Sequence, residues 1–179
     1  MGYLFKGERR VPKLCIYIPF LRIPSSVGDL RRNAAELVEG IRVPCVVDGV
    51  VVTEVVAIYL NEEAANAMAG GDILIVHAHG AACDGGLADN LGRSITIPKL
   101  LVRLKALKAD RASLVCFAVC FSALAGCIGP AFVAANPGPR PSVKAAMGMI
   151  EGSIASITRQ GTIRNGMFFA HDPRMVILR

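Results

Sequence analysis

Two residues carry the chemistry this sequence offers most plainly. His79 and Cys120 each stand just past an apolar, β-rich run: DILIVH (residues 72–77) and ASLVCFAV (residues 112–119). A cysteine attacks as its thiolate, so it needs a base or a positive field nearby. A histidine, titrating near neutrality, is the natural partner. Together they suit acyl transfer, in which sulfur attacks a carbonyl carbon and the imidazolium protonates the leaving amine. The oxyanion formed in that step needs donors. The backbone N–H of Gly80 is suited, because glycine lets the main chain approach substrate closely. The N–H of Cys120 is the second donor expected.

Other residues near this pair compete with it or could assist it. Alternation along a strand puts His77 on the side of His79, and Cys116 on the side of Cys120, one repeat deeper. His77 is expected to be buried and hydrogen-bonded, and Cys116 to fill core. Asp84 and Asp89 lie in a Gly-rich stretch after His79, where they could bind a basic substrate side chain. Arg140, in the segment NPGPRP (residues 136–141), could hold an acidic one. For all three the plainer expectation is a solvated loop.

The elements that must position the pair alternate between strand and helix. Leu14 to Phe20 reads as a strand, and Val27 to Ile41 as a helix with Leu30, Ala34, Leu37, Val38 and Ile41 on one face. Val43 to Val56 reads as a strand or a hairpin turning at Asp48-Gly49. Asn61 to Ala69 reads as a short helix capped by Asn61 and stopped by Gly70-Gly71. Asp72 to His77 has the continuous apolar character of a buried parallel strand. Ala81 to Arg93 reads as loop, Ile97 to Ala109 as an amphipathic helix, and Ala112 to Val119 as a buried strand. Ala131 to Ala135 reads as a further strand, Ser142 as the cap of a helix running to about Arg159, and Met175 to Leu178 as a last strand. Such alternation implies a mostly parallel sheet with helices on both faces. Ligands of such sheets bind at the carboxyl ends of the strands, where both His79 and Cys120 fall.

The 179 residues suit one domain spanning 1–179. Charged residues make up 19% and the net charge is +6, with no dense basic run. Tryptophan is absent and aromatics are few, so no base-stacking platform is expected, and no nucleic-acid partner. Apolar residues make up 53%, which leaves room for a sticky face, for a regulatory partner or for a second copy. Cys15, Cys45 and Cys116 lie in apolar runs, and the first residues lack the apolar core of a secretory signal, so a reducing, cytoplasmic setting is expected. From Ala112 to Ala135 no residue is charged, a length that could span a bilayer. Gly126, Gly129 and Pro130 interrupt the run, and two buried strands joined by a loop explain it better than a membrane span.

With these residues in view, the chain resembles the caspase-like superfamily of cysteine peptidases, and most closely its bacterial CHAT-type branch. The resemblance rests on a strand leading to His79-Gly80, an amphipathic helix entered through Ile95-Thr96-Ile97, and a strand leading to Cys120-Phe121-Ser122. It covers roughly Leu14 to Ser156. It implies a three-layer α/β fold with a His79–Cys120 dyad and needs no cofactor or metal. It also implies a protein or peptide substrate, in a prokaryotic regulatory or defence setting, with Ser122 near the substrate. The sequence departs from the pattern at Ala123, where glycine is usual after the serine. It departs again at Ala118, where relatives that cleave after basic residues carry an acid. The superfamily pair normally needs no third side chain, so His171-Asp172 is not read as part of the site.

Three rival readings are weaker. A zinc-binding α/β hydrolase could use His77 and His79 with Cys83, or Cys116 with Cys120, but no further cluster completes such a site. A catalytically silent caspase-like interaction module would suit the apolar composition. A nucleotide-binding domain lacks its glycine motifs.

Overall fold

The β-rich runs pair as the alternation predicts, forming a six-stranded, mostly parallel sheet in a computed structural model of the chain. The structure describes residues 10–22, 24–47, 49–80, 86–139, 141–149 and 175–178. Strands β1 (Lys13–Ile18), β4 (Glu54–Tyr59), β5 (Ile73–His77), β9 (Leu114–Ala118), β10 (Ser142–Ala146) and β11 (Met175–Leu178) form the sheet, in the order β11-β10-β9-β5-β1-β4. All neighbours are parallel except β11, which runs antiparallel to β10. Every residue of β1, β5 and β9 is buried, as expected of strands with no water-facing side.

Between β1 and β4 run α1 (Pro24–Gly40) and a hairpin of β2 (Cys45–Val47) and β3 (Val50–Val52). Gly49, at φ +81°, lies between the two strands of this hairpin. Helix α1 turns Leu30 and Ala34 into the core. It is kinked at Gly28, whose φ of +20° and ψ of −104° are not helical. A small antiparallel sheet of β6 (His79–Gly80), β7 (Leu87–Ala88) and β8 (Ser94–Ile95) follows β5. Helix α2 (Ile97–Ala106) buries Leu100 and Leu104, and Leu107 beyond it is also buried. Its lysines stay exposed. Helix α3 (Ile128–Ala135) precedes β10.

Four readings of the sequence are corrected. Residues 61–69 form only one 3-10 turn at Ala64–Asn66. Asn61, at φ +73°, is not a helix cap. The glutamates instead fix a turn: Glu62 accepts the Tyr59 N–H at 3.0 Å, and Glu63 accepts the buried Tyr17 hydroxyl at 2.6 Å. Part of the stretch 81–93 is not loop, since β7 pairs on both sides. Residues 131–135 are helical, with Pro130 in the first turn where its missing N–H costs nothing. Ser142 opens β10 rather than a helix. Its N–H donates to the Ser113 carbonyl at 3.0 Å, and the strand then continues in register with β9. The rest of that expected helix, from residue 150, lies outside the described residues. The charge-free run 112–135 is therefore a strand, a turn and a helix. Among the described residues no helix is long and apolar enough to cross a membrane.

Candidate active site

The order of β4-β1-β5-β9-β10 is that of a common doubly wound sheet, in which the chain leaves β1 first to one side and then to the other. The crevice beyond the carboxyl ends of β1 and β5, where that direction reverses, is where such sheets bind ligands. The candidate residues collect along this edge. His77 is in register with Ala118 at the ends of β5 and β9. His79 and Cys120 each follow two residues later, so the register that aligns the strands also brings these two positions to one place.

Gly80 tightens this juxtaposition. A Cβ at this position would collide with the Cys120 carbonyl oxygen and would stand 2.5 Å from Val119 Cγ1 and 3.3 Å from the Cys120 nitrogen. The chain leaving β5 thus lies directly against the chain leaving β9, and only glycine permits the contact.

The turn after β9 is held from several directions. Phe121 adopts a left-handed φ of +60°, a conformation that costs a residue with a side chain about 1–2 kcal/mol. Its N–H donates to the Gly148 carbonyl at 3.0 Å, and the Ala123 N–H donates to Ala146 at 2.9 Å. Ser122 is buried. Its hydroxyl donates to the Phe117 carbonyl at 3.1 Å and accepts the Ala146 N–H at 2.9 Å. The serine thus ties the turn to β10. Ala123 needs no glycine, because the left-handed residue of the turn is Phe121.

His79 is 45% exposed, and its Nε2 lies 3.4 Å from Asp29 Oδ1. Asp29 follows the kink in α1 and escaped the sequence reading of Val27 to Ile41 as a regular helix. The signal was the glycine just before it, inside a helical pattern. Burial alone would raise the Asp29 carboxyl. Hydrogen bonding from Asn90 and the adjacent His79 ring outweigh it, holding this carboxyl below the usual carboxylate range. Asn90 belongs to the turn between β7 and β8. Asp89 builds that turn: it is buried, and its Oδ1 accepts the N–H groups of Leu91 and Arg93, each at 2.9 Å. Beside the turn opens a cleft of about 180 Å³, with Arg93, Lys99 and Arg103 among its walls. Asp84, Arg140, Cys83 and His171-Asp172 lie outside the described residues.

His77 is buried beneath this edge. Its Nδ1 lies 3.5 Å from the Ala118 carbonyl oxygen, while Nε2 has no partner among the described residues. Burial, the largest influence, pushes the ring down to about 4 from an ordinary 6.5. The unfolded chain, with its histidine at the ordinary value, takes up that proton first. Stability is therefore whole above about pH 6.5 and is lost as pH falls toward 4, by about 3 kcal/mol for this residue. Urea unfolding across that range should show the slope, and His77→Leu should flatten it.

Cys15 and Cys116 are fully buried, Cys127 nearly so, and Cys45 and Cys120 half-buried. Burial pushes the Cys15 thiol up to about 12 and also raises that of Cys45. Among the described residues no group of three or more His, Cys, Asp or Glu side chains is arranged to hold a metal ion. Comparison of the chain with protein-family models, with curated proteins and with solved structures finds no match.

Proposed function

We propose that the chain is a caspase-like cysteine peptidase, resembling the bacterial CHAT type, that cleaves a protein partner in prokaryotic regulation or defence through Cys120 and His79. The observation that carries this reading is the packing of Gly80 on the Cys120 backbone, which holds the two strand ends together. In the proposed reaction the Cys120 thiol gives its proton to His79 and the sulfur attacks the scissile carbonyl carbon. The oxyanion is met by backbone N–H groups, with Gly80 and Cys120 the candidates. As the C–N bond breaks, His79 returns the proton to the leaving amine. Water, deprotonated by His79, then hydrolyses the thioester and releases the thiol. The neighbouring cleft sets Arg93, Lys99 and Arg103 against one carboxylate, that of Asp89, and this balance favours an acidic peptide over a basic one, in keeping with Ala118 where an acid would select a basic side chain.

Thiol reactivity tests this reading. Under limiting iodoacetamide at pH 7, with sites read by peptide mass spectrometry, Cys120 should label about tenfold faster than Cys45, since an adjacent base can take the thiol proton as sulfur attacks. Cys15 should label last. His79→Ala should erase the Cys120 advantage. Equal labelling of Cys120 and Cys45, indifferent to His79→Ala, would favour a silent interaction module instead.

A further inference from the structure

We propose that Asp29 is the positioning residue of this site, holding the imidazole of His79 with its proton on Nε2 and leaving Nδ1 to exchange a proton with Cys120. The inference rests on the reading of His79 and Cys120 as the reacting pair. In the sheet β5 lies between β1 and β9. His79 therefore has the segment that follows β1 on one side and the turn bearing Cys120 on the other. Asp29 comes from the first and Cys120 from the second, so His79 follows a strand flanked by the segments that carry the carboxylate and the thiol.

The ring nitrogen facing the carboxylate is Nε2, at 3.4 Å. That is longer than a well-formed N–H···O bond, as is common where a catalytic hydrogen bond tightens only around substrate. Asp29 Oδ1 is sealed from solvent and accepts no aligned hydrogen bond among the described residues. A buried carboxylate oxygen without a partner is costly, and the Nε2–H tautomer supplies the donor within shortest reach. The unlike roles of the two ring nitrogens follow: one is fixed by the acid, and the other is free to act as base.

The fold provides for this carboxylate specifically. Gly28 breaks α1 immediately before Asp29, at a φ of +20° that side chains rarely adopt. A Cβ at Gly28 would stand 3.2 Å from Asn90 Cγ, so the Asn90 side chain lies against the kink. Asn90 also helps to hold the Asp29 carboxyl below the usual carboxylate range. Kink, amide and carboxylate form one chain of contacts ending at His79. His77, buried beside them and held neutral near pH 7, adds no competing cation.

The test is the tautomer of His79, read by long-range nitrogen–proton NMR at pH 8.5 in Cys120→Ala, where no thiol can protonate the ring. The expected result is Nε2–H in that protein and a shift toward a tautomer mixture when Asp29→Ala is added. Nδ1–H with Asp29 present, or a tautomer indifferent to Asp29→Ala, overturns the proposal. This readout needs no peptidase activity, so it is independent of the fate of the peptidase reading. In the otherwise wild-type protein, Asp29→Ala should lower the rate of Cys120 alkylation several-fold, within the roughly tenfold advantage that His79→Ala erases, with Asp29→Asn less affected. Loss of alkylation on His79→Ala but not on Asp29→Ala would leave the dyad standing and remove Asp29 from it.

Discussion

Gly80→Ala is expected to remove activity and to destabilise the fold at the same time. The added methyl would meet the Cys120 carbonyl oxygen and Val119, and neither is the free end of a flexible chain. Val119 is buried, and the Cys120 carbonyl belongs to a turn tied to β10 through Phe121, Ser122 and Ala123. The strand ends must therefore separate, at a cost of about 3 kcal/mol, the upper range for overpacking a rigid site. A displacement of about 1 Å at reacting groups costs about 100-fold in rate. Denaturant unfolding and peptide hydrolysis should both register the change. A stable Gly80→Ala protein with unchanged turnover would mean that the two strand ends need not touch.

Replacing either member of the pair should have the largest kinetic effect. In the proposed reaction, Cys120→Ala removes the atom that would form the acyl-enzyme, and His79→Ala removes the group that would take and return the proton. Each should lower kcat by about three orders of magnitude or more, with unfolding midpoints little changed. The double variant should be no worse than the poorer single one, because the two residues act in the same step. Additive losses would place them in separate steps.

The parts of this arrangement that were legible in the sequence share a physical character. Strands β5 and β9 are continuous apolar runs, and such runs between turn signals have few other folded uses. Their ends, and so the positions of His79 and Cys120, followed from the runs alone. The burial of Cys116 and His77 followed from their place inside these runs, where every residue is buried. Short mixed segments were not legible. The residues Ala131 to Ala135 suit a strand or a helix, and packing beside β10 decides for helix α3. Ser142 and the alanines of β10 mimic a capped helix, but the backbone pairs with β9 and β11 on either side, which local propensity does not anticipate. Asp29 was hidden for another reason. Its role depends on Asn90 and His79, 61 and 50 positions away in the chain, and on one glycine that breaks the helix before it.

Ser122 shows how a motif residue can serve geometry. It belongs to the Cys-x-Ser pattern, yet its hydroxyl is buried between the Phe117 carbonyl and the Ala146 amide. Its contribution to the site is the shape of the turn that presents Cys120. Asp89 works in the same way on the opposite turn, accepting two backbone amides below the residue that reaches Asp29.

The most direct measurement is digestion of a diverse peptide library by the wild-type chain and by Cys120→Ala, with products identified by mass spectrometry. The wild type should cut at a restricted set of positions, and Cys120→Ala should cut at none of them. The same cleavage products from Cys120→Ala, or no cleavage of any peptide by the folded wild-type chain, would contradict the assignment of Cys120 and His79 as a peptidase pair.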